Sequence, residues 1–270
     1  MVLHEPDHFE PPLNFFAALG RRILLACRNT GRGTVVLLQA FWALRFMLSR
    51  RHRREVLMQL FITGIKSLGV LTVVAMFTGM ILALQTGLEL RRYGQEVNIG
   101  TLVCTSMVRE MGPFMTALVI AASVGSAIAA QLATMTVSEE IAALEVMSID
   151  PVRFLVMPRL AALLIMMPML TVYTNILGVV GGAIVGWTQL GVPMSAYFDN
   201  AIQYVRNKDL YVGLFKAAVF GAIIAGVACQ QGFQATEGAV GVGIATRRSV
   251  VISFLTILAV GYMITRLFYA

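Results

Sequence analysis

The chain has 270 residues, of which 58% are hydrophobic and only 13% charged, and its formal net charge at pH 7 is +7. A soluble globular protein carries about 25% charged residues, so this composition excludes a soluble domain of comparable length. Ten of the 21 Lys and Arg residues precede position 67, and in so apolar a chain they favour an anionic membrane surface over a nucleic-acid partner.

The N-terminal part of the chain predicts a tail followed by helices at the membrane surface. Residues 1–14 are interpreted as a loosely attached tail, and residues 15–28 have helical apolar spacing with arginines between, which predicts an amphipathic helix. Residues 34–48 include Trp42 and precede a basic run. This stretch is shorter than the roughly 20 residues of a span, so we favour an interfacial helix over a short true span. The chain thus divides into an N-terminal region at 1–54 and a membrane domain at 55–270.

Five apolar runs follow, and each is long enough to cross about 30 Å of hydrocarbon at about 1.5 Å per residue. The runs cover residues 56–88, 111–136, 154–190, 210–233 and 249–269. We therefore predict an all-α integral membrane fold with five transmembrane helices. Gly178, Gly182 and Gly186 form a stripe of small residues in the third run, and we interpret this stripe as helix packing within one subunit.

The distribution of Lys and Arg in the connecting segments predicts the orientation. With the N-terminal segment inside, the five spans leave 14 basic residues inside and seven outside. The N-terminus is therefore expected on the cytoplasmic side and the C-terminus outside.

Arg109 and Glu110 are adjacent opposite charges just before the second apolar run. Charges at a bilayer boundary are costly unless they are paired or hydrated. Two interpretations stay open for this polar pair: a polar group at the mouth of a transport path, and an anchor in the interface. Glu110 is also the only acid that we place near the body of a predicted span.

The segment between the second and third runs has a helical period of its own, carried by Val137, Ile141, Leu144 and Met147. Ser138 is an N-cap candidate, the acidic Glu139 and Glu140 suit a helix N-terminus, and Asp150 with Pro151 is expected to end the helix. The simpler interpretation is a solvated connecting helix. The sharper one is a docking helix for a cytosolic partner.

Two patterns bear on metal and nucleotide binding. His4 to His8 matches H-E-x-x-H, but Pro6 interrupts the pattern, and the zinc motif functions only on a helix. We therefore predict no metal site. No Gly-Lys dipeptide occurs in the sequence, so the chain lacks the Walker A phosphate loop. If ATP drives this protein, another subunit must bind it.

Several ordered elements lie between Val108 and Pro168: R-E-x-G-P, G-S-A, E-x-I-x-A-L-E-V-M, D-P and P-R. A further stretch, GVGIATRRSVV, covers residues 241–251. Together they resemble the MlaE/YrbE-type permeases, a family that also includes chloroplast lipid-import permeases. The resemblance covers roughly residues 55–270.

The resemblance implies the permease subunit of an ABC transporter in the bacterial inner membrane, which moves phospholipids or related lipids between that membrane and an outer-side MCE-type carrier. It implies a homodimer with two cytosolic ATPase subunits, an MCE-domain protein on the periplasmic side, and in some systems a STAS-domain protein. This chain would then be no enzyme and bind no cofactor, since ATP and Mg²⁺ belong to the ATPase. No nucleic-acid partner is expected.

The resemblance also assigns roles to positions of this sequence. The helix that couples to the ATPase would use Glu139, Glu140, Ile141, Leu144, Glu145 and Met147. The lipid cavity would be lined by Ala83, Leu84, Gln85 and Leu88. Two positions depart from the family pattern, since members often have Arg where Ser123 stands and Asp where Gly261 stands. If those charges pair inside the bilayer, losing both together is electrostatically coherent.

Other function classes remain open as alternatives. A secondary transporter is expected to show repeats and ionisable residues near the membrane midplane, and the sequence gives no convincing sign of either. A non-catalytic membrane scaffold would show no nucleotide-linked transport. Because no histidine falls within the predicted spans, an intramembrane metalloenzyme is disfavoured.

Overall fold

The fold comes from a computed structural model, which describes residues 31, 35, 37–43, 50–236 and 238–269. The tail and the amphipathic helix predicted at 15–28 lie outside the described residues. Residues 37–43 are helical, but most of the remaining 34–48 stretch is not described, so its interfacial placement stays a prediction. Within the described ranges the chain is helical and contains no strand.

From residue 50 onward, the described part of the chain contains ten α-helices, several of which join through 3-10 or π-helical turns into longer continuous helices. The α-helices are α1 (Arg50–Gly64), α2 (Leu68–Arg92), α3 (Ile99–Ser106), α4 (Gly112–Ile120), α5 (Ser126–Val137), α6 (Glu140–Val146), α7 (Met157–Leu190), α8 (Met194–Tyr204), α9 (Asn207–Phe233) and α10 (Gly238–Tyr269). Turns of 3-10 helix lie at Ile65–Ser67 and Glu96–Asn98, and π-helical turns at Met107–Met111, Ala121–Gly125 and Val152–Val156.

Five helices of the described chain are long and apolar enough to cross a membrane, which confirms the predicted fold class. In chain order the spans are Arg54–Arg92, Glu96–Val137, Val152–Leu190, Asn207–Phe233 and Gly238–Tyr269. The second and fifth begin well before residues 111 and 249, where we predicted them. The apolar runs mark only the hydrocarbon part of each helix, because charged residues such as Arg109 and Arg248 stay helical beyond it.

Successive spans run in opposite directions, so the connections gather at two ends of the bundle. At the α8 end, Asn200 Nδ2 donates to the Val97 carbonyl at 2.8 Å, and Lys208 Nζ donates to the Phe268 carbonyl at 2.7 Å. At the opposite α6 end, the Thr136 hydroxyl donates to the Gly232 carbonyl at 3.0 Å. In the predicted orientation the α6 end is cytoplasmic.

The first and third spans touch backbone to backbone. A Cβ placed on Gly79 would lie 1.8 Å from the Gly178 carbonyl oxygen, and one on Gly181 would lie 2.5 Å from the Met76 carbonyl oxygen. Gly182 packs instead against the Tyr197 hydroxyl of α8. The glycine stripe therefore packs within this subunit at these positions, as we interpreted it.

Helix α8 lies across the ends of the second and third spans. Tyr197 is buried there, and its hydroxyl donates to the Val179 carbonyl at 3.3 Å. Burial raises the pKa of Tyr197, so the phenol keeps its proton and remains a donor. This contact ties α8 to the third span at this end of the bundle.

Candidate functional site

The polar pair lies in a π-helical turn, Met107–Met111, in the middle of a continuous helix. π-helical turns interrupt the regular helical register and are frequent at functional sites. Here the turn presents Arg109 and Glu110 to the fourth and fifth spans, and both residues find their ion-pair partners on the fourth.

Arg109 forms a two-point ion pair with Asp209 at the start of the fourth span. The Nε–Oδ1 distance is 2.8 Å, and the second guanidinium nitrogen donates to Oδ2 at 3.0 Å. The Tyr269 hydroxyl also donates to Asp209 Oδ1 at 2.8 Å, and the Arg109 guanidinium lies 4.8 Å from the centre of the Tyr269 ring. Only 1% of the Asp209 side chain is exposed. This network joins the second, fourth and fifth spans.

Glu110 pairs with Lys216, which lies two helical turns beyond Asp209 on the fourth span. Lys216 Nζ lies 2.6 Å from Glu110 Oε1, 2.7 Å from the Thr265 hydroxyl and 3.1 Å from the Arg109 carbonyl oxygen. The Thr265 hydroxyl donates to the same Glu110 oxygen at 2.7 Å. The Lys216 side chain is 1% exposed, whereas that of Glu110 is 41% exposed. Lys216 is therefore buried, whereas Glu110 is partly exposed.

The two pairs balance their charges, which explains how four ionisable groups persist inside apolar helices. Our statement that Glu110 is the only acid near a span was wrong, because Asp209 belongs to the fourth span, whose apolar run we began one residue later. Asp209 and Lys216 are seven residues apart and therefore share one helix face. On that face Asp209 and Lys216 are opposite in charge to Arg109 and Glu110. This complementary pattern in the sequence could have identified the two ion pairs.

A cavity of 460 Å³ opens beside the Glu110–Lys216 pair. Its lining comes from the second, fourth and fifth spans: Glu110, Met111, Phe114, Phe220, Ile257, Leu258, Gly261, Tyr262 and Thr265. Glu110 and Thr265 mark the side toward the α8 end. Phe114, Phe220 and Ile257 lie further along their helices toward the α6 end. The cavity thus has a polar end and an apolar end, which is the arrangement that an amphipathic molecule requires.

The two departures from the family pattern fall at different depths. Gly261 lines the cavity next to Phe114, while Ser123 is exposed nine residues further along the second span, roughly 13 Å away by helical rise. The pairing of charges at these two positions stays a hypothesis. A Cβ on Gly261 would approach the Phe220 ring to 3.2 Å, so this glycine helps to keep the cavity open.

The four residues assigned to a lipid cavity on the first span lie apart from this cavity. Ala83 is buried in the packed contact with the third span, while Leu84, Gln85 and Leu88 are exposed on the surface of the described chain. None of the four lines the cavity at Glu110. Their role in lipid binding stays a prediction.

The short helix between the second and third spans is present as α6, but its start differs from the prediction. Ser138 does not cap it, because the helix begins at Glu140 after Glu139, whose backbone is left-handed with φ of 59°. Asp150 serves the next helix instead, since its Oδ1 accepts a hydrogen bond from the Val152 backbone N–H at 2.9 Å. The polypeptide therefore reverses sharply on both sides of α6.

The faces of α6 divide the predicted coupling residues into two groups. Ile141 and Leu144 are half-buried against the apolar core of this subunit. The remaining coupling residues, Glu139, Glu140, Glu145 and Met147, are exposed. Val146, which lies outside the predicted coupling residues, is 86% exposed, and Met147 is 61% exposed. The outward surface of α6 thus combines acidic and apolar side chains.

No group of three or more His, Cys, Asp and Glu side chains is arranged for a metal ion within the described ranges. The H-E-x-x-H pattern at His4 to His8 lies in the part of the chain that is not described. Cys104 and Cys229 are free thiols inside spans.

Comparison with known proteins gives a consistent result. The family model for the permease MlaE matches residues 56–267. A Rickettsia prowazekii protein described as a probable ABC transporter permease is 42% identical over 214 residues, which are 79% of this chain and 83% of that protein. The intermembrane phospholipid transport system permease protein MlaE of Haemophilus influenzae is 30% identical over 260 residues, 95% of this chain and 98% of that protein. The chloroplast protein TRIGALACTOSYLDIACYLGLYCEROL 1 of Arabidopsis thaliana is 35% identical over 226 residues, 84% of this chain and 65% of that protein.

Proposed function

The chain belongs to the MlaE permease family, and from this premise we propose that it is the membrane subunit of an ATP-driven transporter of phospholipids or related lipids. The relatives from Rickettsia and Haemophilus are described as an ABC transporter permease and a phospholipid transport permease. Such a subunit moves its substrate and leaves ATP hydrolysis to a partner. The missing Walker A loop supports this division of labour.

The cavity at Glu110 is the observation that carries the proposal. It opens among three spans, has a volume of 460 Å³, and is polar at the α8 end and apolar toward the α6 end. In the proposed orientation a lipid would enter with its headgroup toward the outer surface and an acyl chain along Phe114, Phe220 and Ile257. The apolar wall stabilises the chain by removing it from water, which is worth about 0.8 kcal/mol per buried methylene.

We further propose the assembly that the family relation implies. Two copies of this chain form a homodimer, two cytosolic ATPases bind ATP and Mg²⁺ at the α6 end, and an MCE-domain protein, with or without a STAS-domain protein, completes the complex. The N-terminus faces the cytoplasm and the C-terminus the outer side of a bacterial inner membrane. The apolar and acidic surface of α6 supports a docking role at the cytoplasmic end.

The docking role of α6 is tested on its two exposed apolar side chains. Replacing Val146 and Met147 together by aspartate is expected to abolish copurification of the ATPase, because both side chains point away from the permease core and an interface buries such anchors. The measurement is the ratio of ATPase to permease after purification of the tagged full-length chain from membranes. The control is Val97→Asp, an exposed apolar residue at the α8 end.

Two outcomes decide this prediction. Loss of the ATPase in the double variant but not in Val97→Asp supports docking at α6. Stoichiometric ATPase in the double variant refutes it. Leu144→Asp would be a poorer test, because Leu144 packs against the permease itself and its substitution would damage the fold.

An ion-coupled secondary transporter is the second candidate, since Asp209, Glu110 and Lys216 are ionisable groups within the spans. The pairing of Asp209 with Arg109 and of Glu110 with Lys216 favours a structural and substrate-contacting role over proton relay. The two functions differ in energy source, and transport that requires ATP but no ion gradient excludes the secondary transporter.

A further inference from the structure

The two oxygens of the Glu110 carboxylate have different surroundings. Oε1 is occupied twice, by Lys216 Nζ at 2.6 Å and by the Thr265 hydroxyl at 2.7 Å. Oε2 has no hydrogen-bond partner among the described residues, although the side chain lines the cavity and is 41% exposed. A carboxylate oxygen bordering an apolar space gains from a donor. The cavity therefore presents one open acceptor at its polar end.

The depth of this acceptor matches that of a lipid headgroup. Glu110 directly precedes the apolar run of residues 111–136, which marks the hydrocarbon part of the second span. An apolar run of this length crosses the hydrocarbon core, so Glu110 lies at its boundary at the α8 end. The ammonium or hydroxyl of a lipid drawn slightly into the cavity would reach it, while an acyl chain extends toward Phe220.

The charges around the acceptor limit which headgroups gain from it. Lys216 already neutralises Glu110, and Asp209 neutralises Arg109, so the site has no net charge to attract a cation from a distance. Selection must then come from hydrogen bonding at short range. A hydrogen bond to an ionised acceptor is about twice as strong as a neutral one, whereas a trimethylated ammonium has no N–H to donate.

We propose that the cavity at Glu110 selects lipids by the hydrogen-bond donors of their headgroups. Lipids with an N–H or O–H donor, such as those with an ethanolamine headgroup, bind through Glu110 Oε2, and choline lipids of the same chain length bind more weakly. This proposal rests on the proposed lipid-transport function, and it defines the substrate class of the same cavity.

Stepwise methylation of one headgroup tests the proposal on the unmodified full-length permease. The probes are phosphatidylethanolamine, its N-methyl and N,N-dimethyl forms, and phosphatidylcholine, all with identical acyl chains, in competition for the purified protein and measured by native mass spectrometry. The first three retain at least one N–H and are expected to bind within about twofold of one another, while phosphatidylcholine binds roughly tenfold more weakly. A gradual loss with each methyl group would indicate discrimination by size, and equal binding of all four would show no discrimination. Either result overturns the proposal.

Glu110→Gln gives a matched second readout. Its amide oxygen can keep the bond to Lys216, which places the amide N–H₂ where Oε2 stood and turns the open acceptor into a donor. The step between the dimethyl and trimethyl lipids is then expected to disappear. A step of undiminished size in a folded Glu110→Gln protein contradicts the proposal.

Filling the cavity separates this proposal from the proposed function. Gly261→Leu places a side chain against Phe220 and is expected to reduce bound lipid of every headgroup at least several-fold, whereas Gly243→Leu on the same helix has nothing within 4 Å of its Cβ and serves as the control. Unchanged lipid in Gly261→Leu would overturn the cavity as the lipid site and the headgroup proposal with it. The headgroup proposal alone is overturned if Gly261→Leu loses its lipid but the unmodified protein binds the dimethyl lipid and phosphatidylcholine equally well.

Discussion

Replacing Glu110 by leucine is expected to lower the free energy of unfolding of the permease by about 3 kcal/mol or more, because it leaves the buried Lys216 without its counter-ion. Removing the other partner of the pair, by Lys216→Met, is expected to lower the free energy of unfolding by less. Its orphaned partner Glu110 is 41% exposed, whereas Lys216 is 1% exposed, and an exposed carboxylate can be hydrated. The measurement is the unfolding transition of the purified protein in mixed micelles of increasing denaturing detergent.

The double variant Glu110→Leu/Lys216→Met tests whether the cost comes from the unpaired charge. Removing both charges is expected to restore most of the lost stability, since an apolar pair of similar size replaces a buried ion pair at little cost. Glu89→Leu is the control, because Glu89 is paired with Arg92 at the surface and such pairs are worth well under about 1 kcal/mol. A double variant that is as unstable as Glu110→Leu would contradict this explanation.

Gly79→Ala is expected to destabilise the fold by about 3 kcal/mol or more, since a methyl group in close-packed backbone cannot be relieved by a rotamer change. Its Cβ would lie 1.8 Å from the Gly178 carbonyl oxygen, so the first and third spans would have to separate. Gly69→Ala makes the same chemical change on the same helix, where nothing lies within 4 Å. That control is expected to be neutral or slightly stabilising, by up to about 1 kcal/mol of helix propensity.

The amount of folded protein and its detergent-unfolding midpoint measure this difference. Similar midpoints for Gly79→Ala and Gly69→Ala would show that the two spans are not in backbone contact. The comparison tests the contact of one methyl group, because both glycines lie in α2 and only the Cβ at Gly79 would meet the backbone of another span.

The number and order of the spans could be predicted because hydrocarbon thickness fixes the length of an apolar run, and each of the five runs exceeded it. The starts of the second and fifth spans could not be predicted, since each of these two helices contains charged residues, such as Arg109 and Arg248, ahead of its apolar run. A hydropathy pattern identifies the hydrocarbon part of a helix and ends where charges begin. Ion pairs between spans allow Arg109 and Glu110 to remain within the helix.

Only half of the ion-pair site at Arg109 and Glu110 could be predicted from the sequence. Arg109 and Glu110 stood out as charges at the edge of an apolar run, but Asp209, Lys216 and Thr265 are about 100 or more residues away along the chain. Their contact depends on how the second, fourth and fifth spans pack, which no local pattern encodes. Helix α6 shows the same limit on a smaller scale. The helical spacing of its apolar residues predicted that a helix is present, but its start is set by the left-handed backbone at Glu139.

The most direct measurement of the proposed function is ATP-dependent lipid movement by the permease copurified with its ATPase in proteoliposomes. Mg²⁺–ATP is supplied on the side of the bilayer that carries the ATPase, and no ion gradient is applied. A fluorescent phosphatidylethanolamine is then expected to move from the membrane that contains the permease. That movement is expected to stop without ATP and to fall strongly in Gly261→Leu but not in Gly243→Leu. Movement that continues without ATP, or that is the same in Gly261→Leu as in the unmodified protein, would contradict an ATP-driven lipid permease that works through the cavity at Glu110.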